Sequence, residues 1–417
     1  MIAEKRSILI ICRICMILIM AAIPFINVSS EAAPASSEIK TLKIGCSEPF
    51  NVPLGVEAKK CLELIVEGFN KSGGLVVKGQ RYNIDMIIYD DKYTPEGGKR
   101  AAERLIHEDN VKFMVGQLGS PAVLGALTVT EPAKVLNIFG GVSDKLNAPT
   151  YKYAFGGGGV GTLALWPYVA KAYPNAKTLV FVSNDDETGH FNVEMNKKGA
   201  KFYSIDTIRE IFVPLGTQDF SPVATSVAAA NPDLVSCVGT KGGADTGLLI
   251  KALRQSGWRK PIIHNVFSEP DVIAVCGKEA AEGYTTLFTD STQWTNPPPE
   301  APKLRQMYEL KYGSWSPLGI TWSNPWYLFI AAVQKADSLE TDDILAAIRN
   351  GLTFKNLFGE AMLIKRPDVG NNRYIAPLSQ QGIGRYENGK LVFKDLTSLE
   401  EQIKVIESVL GHPGQWK

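Results

Sequence analysis

The chain has 417 residues, of which 45% are hydrophobic and 21% charged, with 44 Lys and Arg set against 43 Asp and Glu. That length accommodates two domains with packed cores, and the composition excludes a disordered or fibrous polypeptide. A net charge of +1 gives no electrostatic reason to bind nucleic acid or an anionic membrane surface.

Residues 1–35 read as an export signal. Lys5 and Arg6 precede an apolar run from Ile8 to Ile26, and small residues follow at Ala32, Ala33 and Ala35. Arg13 interrupts the run and weakens it as a membrane-spanning helix, with an uncleaved anchor as the alternative. Neither Cys12 nor Cys15 follows a Leu-Ala-Gly-like triplet, which argues against a lipoprotein. No later stretch approaches about 18 continuous apolar residues. Removing the signal takes away Lys5, Arg6, Arg13, Glu4 and Glu31, which leaves basic and acidic residues equal in number.

From Thr41 the pattern alternates strand and helix. LKIGC is a strand, Leu54 to Asn70 an amphipathic helix, YNIDMIIYDD a strand and Pro95 to His107 a helix. The stretch from Val111 to Ser143 then reads as strand, loop, helix, strand, loop. VKFMVG is a short apolar run, Ser120 and Pro121 open a helical pattern with Val123, Leu124 and Leu127 on one face, and Pro132 stops it. Val135 to Phe139 is a second apolar run, ending in Gly140, Gly141 and Ser143. In a parallel α/β sheet both loops emerge at the carboxyl edge, where ligands bind. Ser120 near the helix N-cap offers a hydroxyl and unpaired backbone N–H groups to a carboxylate or phosphate; the plainer alternative is a cap and a turn.

After a break at Asn147-Ala-Pro-Thr the alternation restarts, following YKYAF and a glycine run. Helix Thr162–Tyr173 leads to strand TLVFVSNDD, and a helix from Gly189 to strand KFYSIDTIREIF. A helix beginning at Asp219 leads to strand DLVSCVG, and helix 243–256 precedes strands PIIHN and GYTTLF. Helices fill Pro302 to Asn350, short strands lie near Phe358–Ile364 and Leu391–Phe393, and a last helix spans Glu400 to Leu410. Two consecutive βαβ runs predict an α/β protein with two doubly wound parallel-sheet lobes and a ligand between them.

Four cysteines remain after export, Cys46, Cys61, Cys237 and Cys276, without a CxxC pair or a histidine-rich neighbour, so no metal site is expected. A Cys46–Cys61 bridge is conceivable, with small buried apolar residues as the other reading. The run from Gly156 to Gly161 satisfies G-x-G-x-x-G, with Asp185 and Asp186 near the end of the next strand, so an NAD-linked enzyme has to be weighed. Against it, the run opens the second half after a break, YKYAF lacks the apolar character of a central strand, and glycines suit a hinge. No Walker, G-x-S-x-G or H-E-x-x-H pattern occurs. His107 and His412 read as surface residues, and His190 and His264 fall where they can reach a cleft. No cofactor and no catalytic residue are expected.

LKIGCSEPF, then GFNKSGGLVVKGQRYNIDMIIYDDKYTPEGGKRAAERLI, then VGQLGSPAVLGA resemble bacterial solute-binding proteins of the leucine/isoleucine/valine-binding type, class I of the periplasmic fold. PDLVSCVGTKGGADTGLLIKALRQSGW and AAEGYTT resemble the second lobe of that family. The resemblance covers nearly all of residues 41–395. It implies a periplasmic, monomeric, non-enzymatic receptor that closes on a small ligand and delivers it to a membrane ABC permease. The hinge is crossed three times, with lobe one at 41–156 plus 288–353 and lobe two at 157–287 plus 354–410. Ser120 and the backbone at Gly140 and Val142 correspond to positions holding a ligand carboxylate; Ser143 adds a hydroxyl and Leu54 lines the side-chain pocket.

Three positions depart from the family pattern. Its second-lobe tyrosine is Thr188, its second-lobe aromatic falls near Lys241-Gly242, and the acid that pairs an amino-acid ammonium falls near Val266. The positions of a disulfide carried by some members are Tyr93 and Gly119. A buried ammonium without a counter-charge is costly, so either Asp185, Asp186 or Glu269 substitutes or the ligand lacks an α-amino group. A branched-chain or other hydrophobic amino acid and a related organic acid both remain open. A ligand-sensing receptor domain shares the fold, although this chain contains no cytoplasmic output module.

Overall fold

The computed structural model describes residues 38–237, 243–265 and 271–417. The first sheet is built from β1 (Lys40–Glu48), β2 (Leu75–Val77), β3 (Gln80–Asp90), β4 (Phe113–Val115), β5 (Leu136–Ile138) and β6 (Ala154–Phe155), in the order 2-3-1-4-5-6. All its pairings are parallel except the β2–β3 hairpin. Its helices α1 (Pro53–Lys71), α2 (Pro95–His107) and α3 (Ser120–Thr130) fall where the periodicity places them. In α1 the buried Ala58, Cys61, Leu62 and Ile65 follow helical spacing, and proline at the first position supplies a preset φ. Thr94 caps α2 by accepting from Gly97 N at 3.0 Å.

Two glycines fix the seat of α3. A Cβ at Gly98 of α2 would stand 1.9 Å from the Ala122 carbonyl oxygen, and one at Gly125 of α3 would stand 1.9 Å from that of Pro95. No side chain fits either place, so the helices approach backbone to backbone. The crossing holds Ser120 at the carboxyl edge of β4. Because β4 and β5 are parallel neighbours, with Val115 opposite Ile138, the loops after them emerge side by side.

The second sheet begins with β7 (Thr178–Asn184), β8 (Asp206–Val213), β9 (Leu234–Cys237), β10 (Ile262–His264) and β11 (Thr285–Phe288), all parallel. Helices α4 (Trp166–Ala172), α5 (Glu187–Phe202), α6 (Ser221–Ala230), α7 (Gly243–Gln255), α8 (Asp271–Cys276) and α9 (Lys278–Ala281) connect them. The chain then returns through α10 (Glu300–Tyr312), α11 (Asn324–Ala336) and α12 (Thr341–Ile348). β12 (Thr353–Asn356), β13 (Gly359–Arg366) and β14 (Asn371–Ser379) make a small antiparallel sheet that packs against β6 and α11. Finally β15 (Gln381–Glu387) and β16 (Lys390–Thr397) join the second sheet beside β11, giving the order 16-15-11-10-9-7-8, before α13 (Leu399–Leu410). One continuous core runs from Ile44 and Phe113 through Trp166 and Phe288 to Trp326 and Trp416.

Several expected boundaries move. The helix expected from Thr162 is a tighter 3-10 turn over Gly158–Leu165 that becomes α-helical only at Trp166. Lys201 and Phe202 end α5 rather than opening β8. Of YKYAF only Ala154 and Phe155 pair, at the sheet edge. β14 and β15 escape the sequence reading because Pro377 and two glycines interrupt them; Pro377 is accommodated because β14 is an edge strand. Cys46, Cys61, Cys237 and Cys276 are all free thiols, the first three buried, as the simpler reading expected. Residues 1–37, and with them the expected signal, lie outside the described residues.

Candidate functional site

A cavity of about 160 Å³ lies between the carboxyl edges of the two sheets. From the first come Val52 and Leu54 after β1, the Leu118–Ser120 loop after β4, and Phe139–Val142 after β5. From the second come Thr188 and Asn192 of α5, Asn265 after β10, and Leu287 and Thr289 around the end of β11. The glycine-rich turn contributes Gly158, Gly159 and Gly161, and the small sheet contributes Pro377 to Ser379. None of the described lining residues carries a formal charge.

The first-sheet wall is assembled around Ser120. It is the first helical residue of α3, not the cap, which is Gly119 at φ 90°. Its buried Oγ accepts from Val142 N and from Ser143 N, each at 3.1 Å. With both lone pairs engaged, the hydroxyl proton is left to donate. Ser120 and Ala122 also carry first-turn N–H groups that have no acceptor within the helix, at the positive end of its dipole. Gly140 N instead donates to Gln117 O at 2.8 Å. The N–H groups of Gly140 and Val142, expected to hold a ligand, are therefore bonded within the chain, while the Ser120 hydroxyl proton and the first N–H groups of α3 remain to donate. Gly141 and Leu54 line the cavity as expected.

Beneath this wall lies a buried polar group that sequence reading missed. Ser47 Oγ donates to Asp91 at 2.8 Å and accepts from Gln117 Nε2 at 2.9 Å, while Asp91 also accepts from Tyr93 N at 2.9 Å. Burial pushes the Asp91 carboxyl up to about 6 and Glu48 well above the usual range, the latter helped by the Asp91 charge. The cluster fixes Gln117, which in turn fixes Gly140. Although Asp91 ends the preceding strand, it is Thr94 that caps α2, whereas Asp186 caps α5, accepting from Gly189 N at 2.9 Å.

Ser143 has another task than the one expected. It does not line the cavity; its Oγ donates to Glu187 of α5 at 2.6 Å, and Lys145 Nζ pairs with the same carboxylate at 2.5 Å. Tyr93 Oη and Thr188 Oγ1 lie 2.9 Å apart. These contacts tie the first-sheet loops to the N-terminus of α5 across the mouth of the cleft. Thr188 thus lines the cavity and also bridges it, where the family pattern has tyrosine.

The run Gly156–Gly161 does not make a dinucleotide loop. It leaves edge strand β6 of one sheet and enters a turn serving the other. A Cβ at Gly159 would stand 2.3 Å from the Phe191 ring and 2.6 Å from Val142 O. The glycines let the crossing chain pass between packed elements. Buried Arg366 secures the crossing by donating to Gly157 O at 3.1 Å and pairing with Asp368 and Asp144. Neither cleft histidine reaches the cavity. His264 is buried with Nδ1 2.7 Å from Tyr284 Oη, and burial drives its pKa down to about 3. His190 is on the surface, 2.8 Å from Asp185 and stacked on Phe212. Asp185 pairs with His190 at the surface and Asp186 caps α5, and neither side chain lines the cavity. Gly242, Val266, Lys241 and Glu269 lie outside the described residues.

Residues 41–381 match the family model of periplasmic binding proteins. The chain belongs to the periplasmic binding protein family. Within that family it is 24% identical over 392 residues to Leu/Ile/Val-binding protein homolog 7 of Brucella abortus (strain 2308), covering 89% of this chain and 95% of that one. The branched-chain amino acid transporter substrate binding protein LivJ from Streptococcus pneumoniae, in complex with isoleucine, superposes with a TM-score of 0.70 at 18% identity, covering 86% and 99%. An ABC transporter solute binding protein from R. palustris in complex with benzoate gives 0.67 at 18% identity, covering 85% and 96%. The periplasmic binding proteins it resembles are binding subunits, not enzymes, and nothing among them supports the NAD alternative. Members of the family bind small molecules and deliver them to ABC permeases. Among the described residues no helix is long and apolar enough to cross a membrane.

Proposed function

We propose that this chain is the periplasmic solute-binding subunit of an ABC importer and closes on a small carboxylate that lacks an α-ammonium group. The carrying observation is the composition of the cavity wall: a hydroxyl freed to donate at a helix N-terminus, and no charged side chain among the described lining residues. A helix N-terminus suits an anion. Among the described lining residues an ammonium would meet no counter-charge, at a cost of several kcal/mol. An aliphatic or aromatic organic acid fits this wall better than an amino acid.

Ligand binding shifts an open–closed equilibrium because only the closed form touches the ligand with both lobes. Lobe one takes residues 41–156 and 288–353 and lobe two takes 157–287 and 354–410, with the β12–β14 sheet bracing the hinge. Residues 1–35 direct export, and the mature chain works as a monomer that docks on its permease. Ser120→Ala tests the clamp. A hydrogen bond to a charged group contributes about 1.5–3 kcal/mol, so calorimetry should show an affinity loss of roughly ten- to a hundredfold for the acid. Unchanged affinity would remove Ser120 from the site.

A further inference from the structure

The turn that leads from β3 into α2 is strained. Lys92 and Tyr93 are successive non-glycine residues with φ of 55° and 60°, a left-handed conformation that a bulky side chain seldom adopts. Two carboxylates hold it. Asp90 accepts from Lys92 N at 2.9 Å and from Phe50 N at 3.1 Å, and Asp91 accepts from Tyr93 N at 2.9 Å. Because Asp91 also accepts from Ser47, which accepts from Gln117, the turn stands on the same buried group as the clamp. Such strain persists where the surrounding structure over-determines it, and it collects at ligand clamps and switches.

The turn delivers one side chain to the cavity. The Tyr93 ring rests on the backbone of Gly119, the residue before Ser120, where a Cβ would stand 2.4 Å from the ring. Only glycine leaves room for the ring there. So placed, Tyr93 is 8% exposed, lines the cavity next to the Ser120 loop, and brings its hydroxyl within 2.9 Å of Thr188 Oγ1 on α5. Both partners of this hydrogen bond across the cleft line the cavity. Ser143, Glu187 and Lys145 also cross the mouth, but none of those three lines it.

We propose that Tyr93 is the gate of the cavity and a specificity-determining residue: its hydroxyl latches the cleft shut on Thr188, and its ring limits the size of the group that fits beside the clamp. This rests on the reading of the cavity as a carboxylate site that closes on its ligand. The two tasks belong to different atoms of one side chain. The hydroxyl favours the closed form whatever the ligand, so its loss weakens all ligands alike. The ring occupies space at the cavity wall, so its loss favours larger ligands over smaller ones.

The test is calorimetric titration of the purified chain and its variants with two size pairs, benzoate with 2-naphthoate and hexanoate with octanoate. Tyr93→Phe keeps the ring and should weaken every acid that binds by a common factor of about fivefold, the worth of about one neutral hydrogen bond. Thr188→Val should do the same, and the double variant should lose no more than either single one. Tyr93→Ala removes the ring, with Tyr93→Leu as a second truncation and folding checked by circular dichroism. Either should raise the affinity of the larger acid relative to the smaller by at least about tenfold in one pair. The proposal is overturned if Tyr93→Phe reorders the acids, if the Tyr93→Phe and Thr188→Val losses add, or if both truncations leave the size ratios unchanged. Titration with the corresponding primary amides keeps the carboxylate reading separate. Amides that bind as tightly as the acids refute that reading, and the same comparisons made on the amides then judge the gate. No binding by any acid or amide refutes both.

Discussion

The two walls of the cavity are built on different plans. The first-sheet wall is continuous in sequence: Val111 to Ser143 supplies β4, its loop, α3, β5 and the loop after it, and the loops lie together because the strands are parallel neighbours. The second wall gathers single residues from α5, from after β10 and β11, from the glycine turn and from the small sheet. A wall made from one βαβ unit is set by local folding, whereas a wall gathered from distant segments depends on how the lobes and hinge pack. On the proposed function, that difference separates a fixed carboxylate clamp from a surface free to vary with the ligand.

The largest expected effect comes from disturbing the first wall. Gly125→Val places side-chain atoms where a Cβ alone already lies 1.9 Å from the Pro95 carbonyl, so α2 and α3 must separate. A loss of more than about 3 kcal/mol in chemical unfolding is expected. In the second wall, a Cβ at Gly161 meets its nearest neighbour at 3.7 Å, so Gly161→Ala should cost less than about 1 kcal/mol. Equal losses at the two positions would erase the contrast.

A smaller effect is expected where the walls meet. Glu187 accepts from Ser143 and pairs with Lys145 across the mouth of the cleft, and its side chain is 24% exposed. Glu187→Ala removes contacts worth roughly 1 kcal/mol from the closed form only. Affinity for every ligand should fall by the same factor, about three- to tenfold, with the order of preference unchanged. A change in preference would show that Glu187 reads the ligand itself.

The first wall was also the legible one. Pro95, Ser120-Pro121 and Pro132 punctuate the helices, short apolar runs mark buried parallel strands, and α2 matches its expected span of Pro95–His107. Ser120's place at the edge of the cleft follows from that pattern. What the pattern does not carry is the direction of individual bonds. Nothing in the sequence says that Ser120 would accept from Val142 and Ser143, that Gly140 would donate to Gln117, or that Ser143 would reach Glu187, 44 positions away. Arg366 escaped notice because its partners Asp144 and Gly157 are more than two hundred residues distant. Asn192 lines the cavity from α5, a position that no pattern in the sequence marks.

The absence of charge among the described lining residues can be tested without any substitution. Calorimetric titration of the unmodified chain with leucine and with isocaproate, the same skeleton without its α-amino group, isolates the ammonium. The expected result is binding of isocaproate at least about tenfold tighter than leucine, since the ammonium would be desolvated without a counter-charge. Leucine binding tighter than isocaproate would contradict a clamp for acids that lack the α-amino group.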